Sequence, residues 1–205
     1  MSMFDWLTLA GLCLLGAASP GPSVAVIVAQ ALRGGRLQGV VAALAHGAGV
    51  GCYALLAALG LAALVANVPV VFTGLRWAGA VFLLWLAFMA YRSALAGVGV
   101  FDPQSKAAAG FGKAIATGFL TAFLNPKLAL FFLAVYSQFV SALTPLSQKL
   151  GMAAVSAGVD ALWYLVVALM VTHPRVIRGL RRQQRNLQLG FAVLLVVVAL
   201  QVLAN

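Results

Sequence analysis

The sequence predicts an all-α polytopic membrane protein with six transmembrane helices, arranged as two inverted three-helix repeats with helices one and four broken. Three observations point there. Of 205 residues, 64% are hydrophobic and 8% charged, where a soluble domain carries roughly 25% charged residues. Apolar runs near the ~20 residues that cross a bilayer recur along the chain. Features of the first half also return in the second at a nearly constant offset. Thirteen Lys and Arg with three Asp and Glu are too few to clothe a water-facing surface. A soluble globular enzyme, a disordered chain and a secreted disulfide scaffold are therefore excluded.

Span one is expected from Phe4 to Leu32, interrupted by Ser19-Pro20-Gly21-Pro22. Its apolar start, Leu7 to Gly16 followed by Ala17-Ala18-Ser19, resembles a signal peptide. The n-region, however, carries Asp5 and no Lys or Arg, and Pro20 would follow the cut, so the segment is read as a retained span. Span two covers Gly39 to Ala66 and span three Phe72 to Ala90. After a polar, glycine-containing connection from Arg92 to Lys113, span four runs from Ala114 to Val140 and is interrupted at Asn125-Pro126-Lys127. Span five covers Leu150 to Thr172, closed by His173-Pro174, and span six Leu187 to Leu203. Continuous hydropathy of this kind gives helices, not the alternation of a membrane β-barrel.

The net charge of +10 gains meaning from its placement. Arg33 and Arg36 follow span one; Arg92, Lys106 and Lys113 follow span three; Arg175, Arg178, Arg181, Arg182 and Arg185 follow span five. The opposite-side connections hold Arg76 and Lys149. Basic residues collect in cytoplasmic connections, so both termini are expected outside. The cluster from Arg175 to Arg185 reads as an orientation signal that also touches anionic headgroups of the lipid bilayer, and no nucleic acid is implied. Cys13 and Cys52 lie within apolar runs, without a CxxC or a His/Cys cluster, and read as small hydrophobes.

The halves repeat. Ala48-Gly49-Val50-Gly51 resembles Ala157-Gly158-Val159-Asp160 at an offset of 109, and Gly79 with Ala80 to Ala87 resembles Gly190 with Phe191 to Val198 at 111. The Pro20-Gly21-Pro22 break answers Asn125-Pro126 at about the same separation. One transmembrane transporter domain over 1–205 thus divides into a first three-helix repeat, 1–96, and a second, 110–205. Three spans per copy is an odd number, so the second copy enters from the opposite side, and paired broken helices in inverted repeats point to a secondary transporter. Proline lacks an N–H and glycine tolerates non-helical dihedrals. The breaks at Pro20, Gly21, Pro22 and at Asn125, Pro126, Lys127 free backbone polar groups at membrane depth, which is tolerable where they pack on protein or line a wet cavity. Half-helix N-termini favour anions and C-termini cations; an amino acid zwitterion carries one of each.

Asp160 is the one acid inside an expected span, and an intramembrane carboxylate is a functional candidate by default. It could hold a substrate ammonium or carry a proton, with Lys127 as the natural cation to pair with it. His46 in span two could shuttle protons. Gln30, Gln138, Tyr53 and Tyr164 could supply hydrogen bonds or anchor the interface, and Gly47, Gly49 and Gly51 would let a neighbouring helix approach closely.

Ala18-Ser19-Pro20-Gly21-Pro22 followed by Gly34, Gly35 and Gly39, then Gly118, Leu124-Asn125-Pro126-Lys127, Phe131-Phe132 and Gln138-Phe139, resembles the lysine exporter superfamily, most of all its homoserine/threonine efflux branch. The resemblance covers nearly the whole chain. It implies an inner-membrane exporter of small amino acids or derivatives, driven as a proton antiporter, not an enzyme, with no organic cofactor and no metal. Asp160 matches the family's acidic position in the second half; near Val50, where many relatives carry an acid, this chain has none. The alternatives are a membrane thiol oxidoreductase using Cys13 and Cys52, a divalent-metal exporter, for which one intramembrane acid and one His are few ligands, and a passive channel or structural membrane subunit. A homodimer is permitted by exposed Gly and Ala faces but not demanded.

Overall fold

The computed structural model describes residues 1–19, 21–96, 110–171 and 173–204, and all regular structure among them is helical. Helix α1 (Met3–Ala18) opens on a capping box: Asp5 N–H donates to Ser2 Oγ at 3.2 Å, and Ser2 N–H donates to Asp5 Oδ2 at 2.7 Å. Two of the orphan donors at the helix start are thereby satisfied. Helix α2 (Pro22–Gly34) starts with Pro22 in the first turn and leaves α1 at a bend of 63°. At its end Gly35 adopts φ 83°, a left-handed turn that glycine makes without penalty, and α3 (Arg36–Asn67) follows at once. Helix α4 (Pro69–Ala96) completes the first half.

The second half repeats the pattern. Helix α5 (Phe111–Phe123) and helix α6 (Pro126–Tyr136) meet at a bend of 51°. Helix α7 (Leu146–Met170) and helix α8 (Pro174–Ala204) follow. Both expected breaks are therefore present among the described residues, while Pro20 itself and most of the Arg92–Lys113 connection lie outside them. The arginine cluster departs from expectation. The sequence pattern predicts a connection there, yet Arg175 to Arg185 belong to α8, which runs unbroken from Pro174. Proline suits the first helical turn, and the Arg, Gln and Leu that follow are good helix formers with no second proline to stop them.

Among the described residues α7 and α3 over Arg36–Ala63 are long and apolar enough to cross a membrane, and the two bent pairs pass the same test of length and composition when each pair is taken together. Helices α4 and α8 contribute shorter apolar stretches, Trp77–Arg92 and Gln188–Val197. The surface is that of a protein in lipid: Val81, Trp85, Phe88, Leu162 and Leu200 are exposed, while Gln30, His46, Ser156 and Asp160 are buried. A water-soluble fold shows the reverse.

Small residues set how the helices meet. A Cβ on Gly47 would lie 2.7 Å from Ala161 Cβ and one on Gly51 3.0 Å from Ala157 Cβ, while Gly39 faces Ala168. Rising numbers on α3 thus meet falling numbers on α7, so the two helices are antiparallel and nearly touch backbone to backbone. On its other side α3 approaches α5 as closely, but with the numbers rising together: a Cβ on Gly118 would strike the Ala42 carbonyl, and one on Gly49 would lie 2.7 Å from Phe119 O and 3.0 Å from Ala122 Cβ.

Candidate functional site

Each break leaves helix ends inside the bundle. Proline 22 has no N–H to offer the carbonyl of Ala18, its normal partner four residues back, and the backbone turns extended at Ser19 and Gly21. The Ala17 carbonyl, freed next door, is taken by Tyr164 Oη of α7, which donates to it at 3.0 Å. At the second break Asn125 caps α6: its Oδ1 accepts from Lys127 N–H at 3.0 Å. Its own N–H turns back to the Ala122 carbonyl at 3.2 Å, the acceptor that Pro126 cannot serve.

The two breaks meet. Lys127 Nζ donates to Ser19 Oγ, and a Cβ on Gly21 would sit 3.8 Å from the same ammonium. Asn125 Nδ2 reaches Ser23 Oγ at 3.5 Å. The ammonium also lies over the Phe191 ring of α8, 4.6 Å from its centroid, a contact with the negative face of the ring. Of the chain's three acids, Asp5 serves the cap of α1, Asp160 lies on His46, and Asp102 is outside the described residues. Lys127 thus has no carboxylate partner among the described residues.

The expected Lys127–Asp160 pair is not what forms. Asp160 Oδ2 lies 2.7 Å from His46 Nδ1, with both residues buried. The reason is helix packing: Gly47, next to His46, lets α3 close onto Ala161, next to Asp160, while the break carries Lys127 toward the first half. The hydrogen bond at Nδ1 fixes the imidazole's orientation and leaves Nε2 buried with no partner among the described residues. Tyr164 joins this pair to the first break. Its ring packs edge-on against His46, centroids 4.8 Å apart, and its hydroxyl holds the Ala17 carbonyl two residues before Ser19. An acid–imidazole pair and an ammonium with no carboxylate partner among the described residues therefore lie at the two helix breaks.

Residues 14–205 match the LysE type translocator family. The chain belongs to that family. This translocator is 28% identical over 188 residues to the threonine efflux protein of Escherichia coli strain K12, covering 91% of each chain. It is 27% identical to the threonine efflux protein of Salmonella typhimurium, covering 93% of this chain and 92% of the relative. Over 129 residues it is 35% identical to the leucine efflux protein of Klebsiella pneumoniae, 62% of this chain and 59% of that one. No solved structure matches it. It is a membrane transporter and not an enzyme.

Gly21, Pro22, Asn125, Lys127, Asp160 and His46 are among the described residues that the sequence offers as candidates, and the structure adds neighbours that it does not single out. Ser19 and Ser23 were visible only as small polar residues flanking a break. Tyr164, which the sequence offers as a hydrogen-bonding group or an interface anchor, makes a hydrogen bond; Cys13 reads as a small hydrophobe, and its thiol lies 3.3 Å from Ser156 Oγ. One signal was available. Ser156, Asp160 and Tyr164 fall at i, i+4 and i+8, a single face of a helix, and that face of α7 is buried. Cys52 is exposed and apart from the buried Cys13, and both thiols are free. Among the described residues no group of three or more His, Cys, Asp or Glu assembles.

Proposed function

We propose that this translocator exports small neutral amino acids or close derivatives across the cytoplasmic membrane in exchange for protons, by alternating access around the two helix breaks. The observation that carries the reading is the meeting of Ser19, Gly21 and Ser23 with Asn125 and Lys127, with an ammonium that no protein carboxylate neutralises among the described residues. A substrate carboxylate is the natural counter-charge for Lys127, assisted by N–H groups at the start of α2, where Gly21 supplies no side-chain cap. The threonine and leucine efflux proteins among its relatives are named for amino acids of this size.

Coupling to protons falls to the Asp160–His46 pair. A carboxylate in lipid can be balanced by an imidazolium or by a substrate ammonium, but not by both at once. Binding of the zwitterion's amino group would displace the proton, and its release would let the proton return; such competition makes exchange obligatory. In this reading 1–96 and 110–205 are inverted repeats with both termini outside, consistent with the placement of the basic residues.

The test uses everted membrane vesicles containing the protein. Labelled threonine and leucine should accumulate when a proton gradient is imposed and leak away on adding a protonophore. Accumulation indifferent to the protonophore would remove the proton coupling. Absence of uptake of any neutral amino acid, with correctly inserted protein, would remove the substrate assignment.

A further inference from the structure

Two hydrogen-bonded clusters outside the central site have no part in the mechanism above. At one, Ser156 Oγ of α7 lies 2.8 Å from Tyr136 Oη of α6 and 3.3 Å from Cys13 Sγ of α1. All three residues are buried. At the other, Gln38 Nε2 of α3 donates to Gln30 Oε1 of α2 at 3.0 Å and to the carbonyl of Gly110, just ahead of α5, at 3.4 Å. Gln30 and Gln38 are buried as well.

The two clusters share a design. In each, one side chain on a continuous helix holds one group from the first broken helix pair and one from the second. Ser156 joins α1 to α6, and Gln38 joins α2 to the start of α5. They also lie at opposite ends of the site. Because α3 and α7 are antiparallel, Ser156, four residues before Asp160, lies beyond the His46–Asp160 pair on one side. Gln38, eight residues before His46, lies beyond it on the other.

We propose that Ser156 and Gln38 are the hubs of two gates, one closing each end of the passage between the broken helices. Substrate can leave an end only when the broken helices part there, and at each end the hub ties both of them to the same fixed helix. The chemistry suits a gate. The links from each continuous helix to the opposite half, Cys13–Ser156 and Gln38–Gly110, are a thiol contact and a long amide bond, weaker than the bonds within each half. With both hubs made, the passage is closed at both ends. This rests on the alternating-access reading and adds to it the residues that change partners.

Cys13 makes the proposal measurable, because it belongs to one gate and is buried while that gate is shut. In a Cys52→Ser background, the rate at which a membrane-impermeant maleimide modifies Cys13 from the face carrying Leu143 reports opening of the Ser156 gate. No substrate or gradient is supplied. Loss of one or two neutral hydrogen bonds shifts a two-state balance by about three- to tenfold. Tyr136→Phe, which loosens this gate without touching the thiol, should raise the rate about threefold or more. Gln38→Ala, at the far end, should lower it by up to a similar factor as molecules open at that end accumulate, and Gln30→Leu gives the same reading should Gln38→Ala fail to insert. Rates that stay unchanged, or that move in the same direction in the near and far variants, would overturn the gates. Opposed shifts without amino acid uptake would keep the gates and dismiss the cargo; uptake without opposed shifts would do the reverse.

Discussion

His46 and Asp160 are separated by 114 residues of sequence and by 2.7 Å in space. They face each other because glycine on one helix meets alanine on the other, so this buried polar contact depends on residues with almost no side chain. Removing one member of a buried pair leaves the other uncompensated, at a cost of roughly 3–5 kcal/mol. His46→Leu is therefore expected to lower thermal stability markedly. Asp160→Asn keeps a hydrogen-bonding side chain of the same shape and should insert and fold. Its transport should fall at least about tenfold and lose its response to an imposed proton gradient, measured in the same vesicles. A variant that kept both the rate and the gradient response would remove Asp160 from the coupling.

Gly47 makes a sharper prediction about the packing itself. A methyl group there would meet Ala161 Cβ at 2.7 Å and the Ala157 carbonyl at 3.0 Å, too close for either helix to stay in place. Overpacking of this kind costs about 1–3 kcal/mol. Gly47→Ala should thus lower the unfolding temperature and reduce transport by prising His46 from Asp160. Gly60, also in α3, has nothing within 4 Å of an added Cβ. Gly60→Ala should be neutral or stabilising by up to about 1 kcal/mol, since alanine favours helix. Equal effects from the two substitutions would show that the close approach at Gly47 carries no weight.

How much of this could be read from the chain follows from which residues act over short range. Proline disrupts a helix wherever it falls, so Pro22 and Asn125-Pro126 marked both breaks from sequence alone. Glycine spacing marked the tight face of α3 for the same local reason. Partner choice was not legible. Lys127 and Asp160 have opposite charges, but α3 brings His46 to the carboxylate first, and the break takes the ammonium to Ser19. Both outcomes depend on contacts between segments more than a hundred residues apart. The helix holding Arg175 to Arg185 was missed because a basic, polar run in an otherwise apolar chain reads as a connection, although Pro174 and the residues after it favour helix.

Tyr164 tests whether the freed carbonyl of the first break needs its partner. Its hydroxyl is the donor to Ala17 O at 3.0 Å, in a buried setting. Tyr164→Phe keeps the ring against His46 and removes the hydroxyl, with its bond to the Ala17 carbonyl and its contact with Ser23. An unsatisfied buried acceptor costs about 1–3 kcal/mol, so the unfolding midpoint should drop modestly while the protein still inserts. Transport should slow as the break loses its fixed geometry. Unchanged stability and transport in this variant would mean that the Ala17 carbonyl finds another donor at no cost.

Lys127 decides what the site between the breaks recognises. Its ammonium touches Ser19 Oγ and the face of Phe191, neither of which cancels a full charge. Lys127→Met keeps most of the apolar stem and deletes the charge, so folding should be unaffected or improved, because an uncompensated cation leaves the lipid. Affinity for amino acids should nonetheless fall at least about tenfold, the scale on which a charge-assisted hydrogen bond of about 1.5–3 kcal/mol is lost. The control lies in the substrate. An amine lacking the carboxylate, tested as a competitor of labelled threonine, should bind wild type and Lys127→Met equally weakly. If Lys127→Met weakened such an amine and the intact amino acid alike, the ammonium would be shaping the break and not holding the carboxylate. A loss confined to the carboxylate-bearing compound ties the Lys127 charge to the passenger.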